Sequence, residues 1–107
     1  MRLDVGGRAV YAYTGSRPFD AAQPTVMFVH GAANDHSVFA LQSRYFARHG
    51  MNVLAVDTPG HGRSEGAALR SVEATADWLA AVIKAADIAS VRLVGHSLGS
   101  LAALECA

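Results

Sequence analysis

A single cysteine, Cys106, stands among 107 residues, so no internal disulfide can form, and without a Cys-x-x-Cys spacing a thiolate metal site is unsupported. The thiol is expected to act as a small apolar residue on a helix. Charge is scarce as well. Nine basic residues cancel nine acidic ones, which removes the broad positive field that nucleic acid or an anionic membrane would need. No apolar run approaches the ~20 residues that cross a bilayer. Residues 1–8 place Asp4, Gly6 and Gly7 where a signal peptide would carry its apolar stretch, so a soluble, cytoplasmic chain is expected. No cofactor and no metal are expected.

What is abundant is apolar: 51% of the residues are hydrophobic, far from the composition of a disordered segment, so a packed core is expected. Segments 2–5 and 8–13 flank Gly6-Gly7 and read as a hairpin, because adjacent glycines supply the positive φ of a tight turn. A Gly-, Ser-, Pro- and Asp-containing loop, 14–24, leads to Thr25-Val26-Met27-Phe28-Val29. That run is apolar without alternation, the pattern of a strand covered on both faces in a parallel sheet. Segments 52–56 and 91–94 repeat it.

Helical patterns separate these runs. One over about 37–48 carries Val38, Leu41, Tyr45 and Phe46 at helical spacing and stops at His49-Gly50. A second over about 71–86 has Ser71 as N-cap, Glu73 in its first turn and a stripe of Val72, Thr75, Trp78, Leu79, Val82 and Ile83. A third begins at Ser97 or Leu98. Strand alternating with helix gives an α/β fold, a mostly parallel sheet with helices on both faces. In such a sheet ligands bind beyond the carboxyl ends of the strands. Three loops lie there: His30-Gly31-Ala32-Ala33, then residues 57–64 (Asp-Thr-Pro-Gly-His-Gly-Arg-Ser), then Gly95-His96-Ser97-Leu98-Gly99.

The last of these fits G-x-S-x-G, in which a strand enters a helix through a turn so tight that its serine is strained and exposed. Gly95 and Gly99 would let strand and helix approach closely, and the helix N-terminus places partial positive charge where an oxyanion would form. An acyl-transfer nucleophile also needs two N–H groups aimed at the carbonyl oxygen. One would come from Leu98, after the nucleophile; the other from the loop after the first buried strand, through Ala32, with Ala33 as second choice. Gly31 is small enough to let that backbone turn inward. His30 ends the neighbouring strand and is expected to hold its loop through backbone hydrogen bonds instead of transferring a proton.

With these loops placed, the chain resembles the serine α/β-hydrolase superfamily, in particular its esterase and haloperoxidase-like branch, over nearly its whole length. The motifs His30-Gly31 with Phe39, then Val56 through Ser64, then Gly95 through Gly99 occur in that family's order and approximate spacing. The resemblance implies Ser97 as nucleophile, Leu98 and Ala32 as oxyanion donors, and His30, Gly31, Gly95, His96 and Gly99 as their support. It implies that Asp57 is a loop-stabilising aspartate accepting backbone N–H groups, not the triad acid. His61 and Arg63 would pin the same loop, and Asn34, His36 and Phe39 would border the pocket entrance. The family's order is Ser, then acid, then His, and this sequence stops one helix past Ser97.

Residues 1–107 are therefore expected to be the N-terminal part of one α/β-hydrolase domain. The substrate would be a small ester or other acyl compound, attacked through an acyl-serine, with the chain nearly inactive alone because serine needs a proton acceptor. The alternative is a non-catalytic binding or assembly module on a reduced fold. Serine at position 97, where related folds use aspartate, argues against dehalogenase or epoxide hydrolase chemistry. With no later strand to cover it, the 91–94 strand would form an exposed edge, from which self-association is expected.

Overall fold

The computed structural model describes every residue except Ala21 and Ala32, and for Leu98 the backbone only. Strands β1 (Arg2–Val5) and β2 (Arg8–Tyr13) form the hairpin, turned by Gly6 and Gly7 at φ 60° and 80°. They are followed by β3 (Thr25–Val29), a 3₁₀ turn (His36–Phe39), α1 (Ala40–Arg48), β4 (Asn52–Val56), α2 (Val72–Ala85), β5 (Arg92–Gly95) and α3 (Leu98–Cys106). The sheet runs β1-β2-β4-β3-β5. β3 pairs parallel with β4 on one side and β5 on the other, while β2 joins β4 antiparallel, so the sheet is mixed at the hairpin. β5 lies at its edge.

The unbroken apolar strands are explained by two cores. Met27, Val29, Leu54 and Val56 face α2 and α3, in a cluster with Leu79, Val82 and Ala102. Their alternate neighbours Val26, Phe28, Val53 and Ala55 face the other way, against Phe39 and Ala47. Every residue of β3 and β4 is buried, as period-two side chains between two helical layers require. Each buried Val or Leu contributes ~1.5–3 kcal/mol of transfer free energy, which is what docks the weakly amphipathic helices.

One element differs from expectation in two respects. The helix expected from 37 to 48 is divided, its first turn being 3₁₀ and capped by Asp35, whose carboxylate accepts from Ser37 N–H at 2.8 Å. Its buried face also differs. Val38, Leu41 and Tyr45 are exposed, and the inward side is Phe39, Ser43 and Ala47, with Phe46 half-buried. The cause is the close passage of Gly15: a Cβ built there would lie 2.5 Å from Ser43 O and 2.6 Å from Ala47 Cβ. Only the small face of α1 fits beneath that backbone, so proximity overrules hydrophobic periodicity. α2 keeps its expected N-cap, with Ser71 Oγ accepting from Ala74 N–H at 3.0 Å. Cys106 ends α3 half-buried, and burial raises its thiol pKa, with Asp77 adding to the effect. No helix among the described residues is long and apolar enough to cross a membrane.

Candidate active site

β3, β4 and β5 are parallel and adjacent, so the loops that leave their carboxyl ends meet at one end of the sheet. Ser97 is the hinge between β5 and α3. It has φ 56° and ψ −122°, a combination far from the ordinary left-handed well and costing a non-glycine residue ~1–3 kcal/mol. The hinge closes by hydrogen bonds from Gly99 N–H to His96 O (2.9 Å) and from Ser100 N–H to Ser97 O (3.0 Å). His96 N–H continues the ladder to Val29 O at 3.0 Å, and its side chain is exposed.

The flanking glycines are required by contact with backbone. A Cβ at Gly95 would lie 2.5 Å from Ser100 N and Gly99 O, and one at Gly99 would strike the Val29 carbonyl and lie 2.5 Å from that of His30. Gly31 brings the β3 loop against the serine: its Cβ would be 3.1 Å from Ser97 Cβ and 3.6 Å from Ser97 Oγ. The first N–H groups of a helix have no acceptor within it, so the start of α3 faces this space with partial positive charge. Of the two expected donors, Ala32 lies outside the described residues, and Leu98 is described only as the first residue of α3.

His30 is buried and its ring is fully engaged. Thr58 N–H donates to Nε2 at 3.0 Å, so the ring proton sits on Nδ1 and donates to Gly31 O at 2.6 Å. Burial lowers its pKa below the ordinary histidine value, outweighing the Gly31 carbonyl, which favours the cation. His61 is arranged alike. Its Nε2 accepts from Ala33 N–H at 3.3 Å, and Nδ1–H is shared between Thr58 Oγ1 and Pro59 O, each at 3.1 Å. His30, Gly31, Thr58 and His61, with Leu69 and Gly99, line a cavity of about 220 Å³.

Asp57 is wholly buried. Its Oδ1 accepts from His36 N–H at 2.7 Å and from the His36 ring Nδ1–H at 2.9 Å, and its Oδ2 accepts from Arg63 N–H at 2.9 Å. The carboxylate thus joins the 3₁₀ turn to the glycine-rich loop. Gly62, at φ 51°, has no room for a Cβ, which would lie on the carboxylate itself. Ser64 Oγ accepts from Tyr11 N–H at 2.9 Å, and Arg63 lies 5.1 Å from the centre of the Tyr11 ring, so the same loop is fastened to β2.

The structure brings Ser97, Gly31, Gly95, His96, Gly99 and His30 together and sets Asp57 apart, beneath the loop. Two residues expected at the pocket entrance lie elsewhere. Phe39 is buried with its ring 4.8 Å from that of Phe28, and His36 sits between Tyr11 and Tyr13 on Asp57. Asn34 is exposed and lines a polar hollow with Ala33, Asp35 and His61. Thr58 was not singled out from the sequence, although a hydroxyl inside a loop at a strand's carboxyl end was a usable signal. Among the described residues both ring nitrogens of His30 and His61, and Nδ1 of His36 and of His49, bond to groups other than Ser97.

Residues 24–107 match the model of the alpha/beta hydrolase fold family. The chain is 35% identical over 80 residues to the (E)-2-((N-methylformamido)methylene)succinate hydrolase of Acinetobacter baylyi, covering 74% of this chain and 30% of that protein. It is 33% identical over 86 residues to an sn-1-specific diacylglycerol lipase of Mus musculus, covering 79% and 28%. A predicted CIB-like hydrolase from Thermoplasma acidophilum superposes with a TM-score of 0.85 at 22% identity, over 99% of this chain and 54% of that one. This chain accordingly spans about 30% of the length of the curated relatives it matches. With the strand order, the strained serine between β5 and α3 and the matched family model in agreement, the chain belongs to the alpha/beta hydrolase fold family.

Proposed function

We propose that Ser97 is the nucleophile of a hydrolase for carboxylic esters or related acyl compounds, acting through an acyl-serine. The observation that carries this reading is the hinge itself: a serine at φ 56° and ψ −122°, between a strand and a helix start, with the Gly31 turn against its side chain. A strained residue is retained where it serves a task, and here the strain lifts a hydroxyl clear of the sheet. In this reading Leu98 N–H and Ala32 N–H receive the oxyanion, since the Ala33 N–H is already given to His61 Nε2, each donor contributing ~10²–10³ in turnover. Asp57, His30, Gly31, Gly95, His96 and Gly99 are support. The relatives named above are a succinate-derivative hydrolase and a diacylglycerol lipase, which favours acyl substrates for this chain too.

The proton acceptor and its acid partner are assigned to residues outside these 107, since both ring nitrogens of His30 and of His61, the rings beside the Gly31 turn, are bonded elsewhere and the chain spans about 30% of its relatives. On this reading the chain is the N-terminal part of one catalytic domain, and acylation by it alone is slow.

A fluorophosphonate probe and short-chain nitrophenyl esters test the proposal, applied to this chain and to one extended to the length of the relatives. The extended chain is expected to be labelled at Ser97 and to hydrolyse ester, with Ser97→Ala abolishing both. An extended chain that folds but is never labelled at Ser97 refutes the assignment.

A further inference from the structure

The 31–33 turn is held from both ends by histidines. At one end the Gly31 carbonyl accepts from His30 Nδ1–H at 2.6 Å; at the other the Ala33 N–H donates to His61 Nε2 at 3.3 Å. Between the two rings, which lie 5.3 Å apart, stands Thr58. Its hydroxyl accepts from His61 Nδ1–H at 3.1 Å and donates to His30 Nε2 at 3.2 Å, while its backbone N–H reaches the same Nε2 at 3.0 Å. The direction of every bond follows from the two backbone N–H groups, which can only donate. Both imidazoles must therefore be neutral and carry their proton on Nδ1.

We infer that His30, Thr58 and His61 form a tautomer-specific clamp that holds the Gly31–Ala33 turn in place against Ser97, and that protonating either imidazole releases it. A proton on His61 Nε2 would face the Ala33 N–H, and one on His30 Nε2 would face two donors of Thr58. In each case a bond becomes a donor–donor contact. Ala33 stands at φ 61°, a conformation that alanine does not hold without external restraint, so losing its amide bond lets the turn relax. The cavity of about 220 Å³ beside the rings gives them room to turn away.

The titratable groups near His30 are His61, Asp57 and Asp35. Asp57 is bonded to His36, and Asp35 to Ser37, so both acids act on the clamp only through space. Burial lowers the His30 pKa below the ordinary histidine value, so its neutral form persists as pH falls; His61 is the more exposed of the two rings. His30, Thr58 and His61 are positioning residues: none touches the reacting atoms. The consequence for catalysis rests on the proposed role of the turn as oxyanion donor, but the clamp itself can be measured without it.

Two measurements on this chain read the clamp directly. Nitrogen-15 correlation spectra at pH 7.5 are expected to show both rings protonated at Nδ1, the minority form of a free histidine. Hydrogen exchange should find the Ala33 amide protected at pH 7.5 and about tenfold less protected at pH 5, the factor that loss of one typical hydrogen bond brings. His61→Gln keeps an acceptor near Nε2 that cannot titrate, so protection should persist at both pH values, whereas His61→Ala should lose it at both. In the extended chain, fluorophosphonate labelling of Ser97 at pH 7.5 should be slowed in His61→Ala and retained in His61→Gln, a comparison at one pH that the titration of Ser97's own proton acceptor does not disturb.

A ring proton found on Nε2 of either histidine overturns the clamp, and the wild-type spectrum suffices to show it. So does an Ala33 amide indifferent to pH and to both substitutions, even if Ser97 is labelled. If the amide behaves as described and Ser97 is never labelled, the clamp stands and the acyl-transfer reading fails.

Discussion

Substituting Gly99 by alanine sets two effects of opposite sign against each other. In a helix interior alanine is favoured over glycine by ~1 kcal/mol, so α3 judged by propensity alone would gain stability. The structure leads to the reverse. The new methyl would strike the Val29 carbonyl oxygen and lie 2.5 Å from that of His30, where ordinary contact begins at 3.4 Å. Both are backbone atoms at the end of β3 and cannot swing aside, so α3 must withdraw by roughly an ångström. Overpacking of this kind costs ~1–3 kcal/mol, and a collision with fixed backbone belongs near the top of that range, leaving a net loss of ~2 kcal/mol. With a urea dependence of ~1.5 kcal/mol per molar, the denaturation midpoint should fall by roughly 1.3 M. Gly50→Ala is the comparison, because Gly50 has φ 81° but nothing within 4 Å of its would-be Cβ. It should lose only the ~1 kcal/mol of a left-handed alanine. A Gly99→Ala midpoint at or above that of the native chain would refute the close approach of α3 to β3, and with it the placement of Ser97.

Ser97→Gly should raise the midpoint by the equivalent of ~1 kcal/mol, because glycine adopts φ 56° and ψ −122° without strain; a fall in stability would contradict the strained hinge. Asp57→Asn replaces one buried acceptor oxygen by a donor and should cost ~3 kcal/mol, seen as a drop of more than about 10 °C in thermal melts, whereas an unchanged melt would show that the carboxylate does not join the two loops. His30 has its pKa depressed in the fold, so as pH falls below the unfolded value of 6.5 the unfolded chain takes up a proton first. Its share of stability is complete above pH 6.5 and is lost on descending toward the folded value, by at most ~1.4 kcal/mol per pH unit, and melts from pH 7.5 to 5.5 that show no decline would exclude this. Val94 is 40% exposed on the edge strand β5, and we propose that this edge supports self-association; Val94→Lys should lower the sedimentation-average mass at high concentration, and an unaltered mass distribution would remove that proposal.

Much of the fold was legible because β3 and β4 are apolar throughout, and a run without alternation has one good explanation, helices above and below. The hairpin was legible from Gly6-Gly7, and the hinge from three residues whose spacing has a steric cause. The buried face of α1 was not. Val38, Leu41 and Tyr45 satisfy the helical period, yet the approach of Gly15 admits only Ser43 and Ala47, and that constraint comes from a loop far away in sequence. The pairing of His36 with Asp57 was hidden for the same reason. It spans 21 positions and depends on β3 and β4 lying side by side, which no local pattern encodes. Thr58 escaped notice because a lone hydroxyl is ordinary until two rings are found on either side of it.

The order of strands also sets a timetable. β3 leaves the ribosome before either of its neighbours, and Val29 finds Gly95 only after β4 and α2 have been made. Until then its second edge is open, and the nascent polypeptide carries an unpaired apolar strand edge while β4 and α2 are made. Ser97, its bend and the turn it faces come together only once β5 has emerged, so slow translation through β4 and α2 would lengthen the interval in which chaperones, or other nascent copies, compete for the strand.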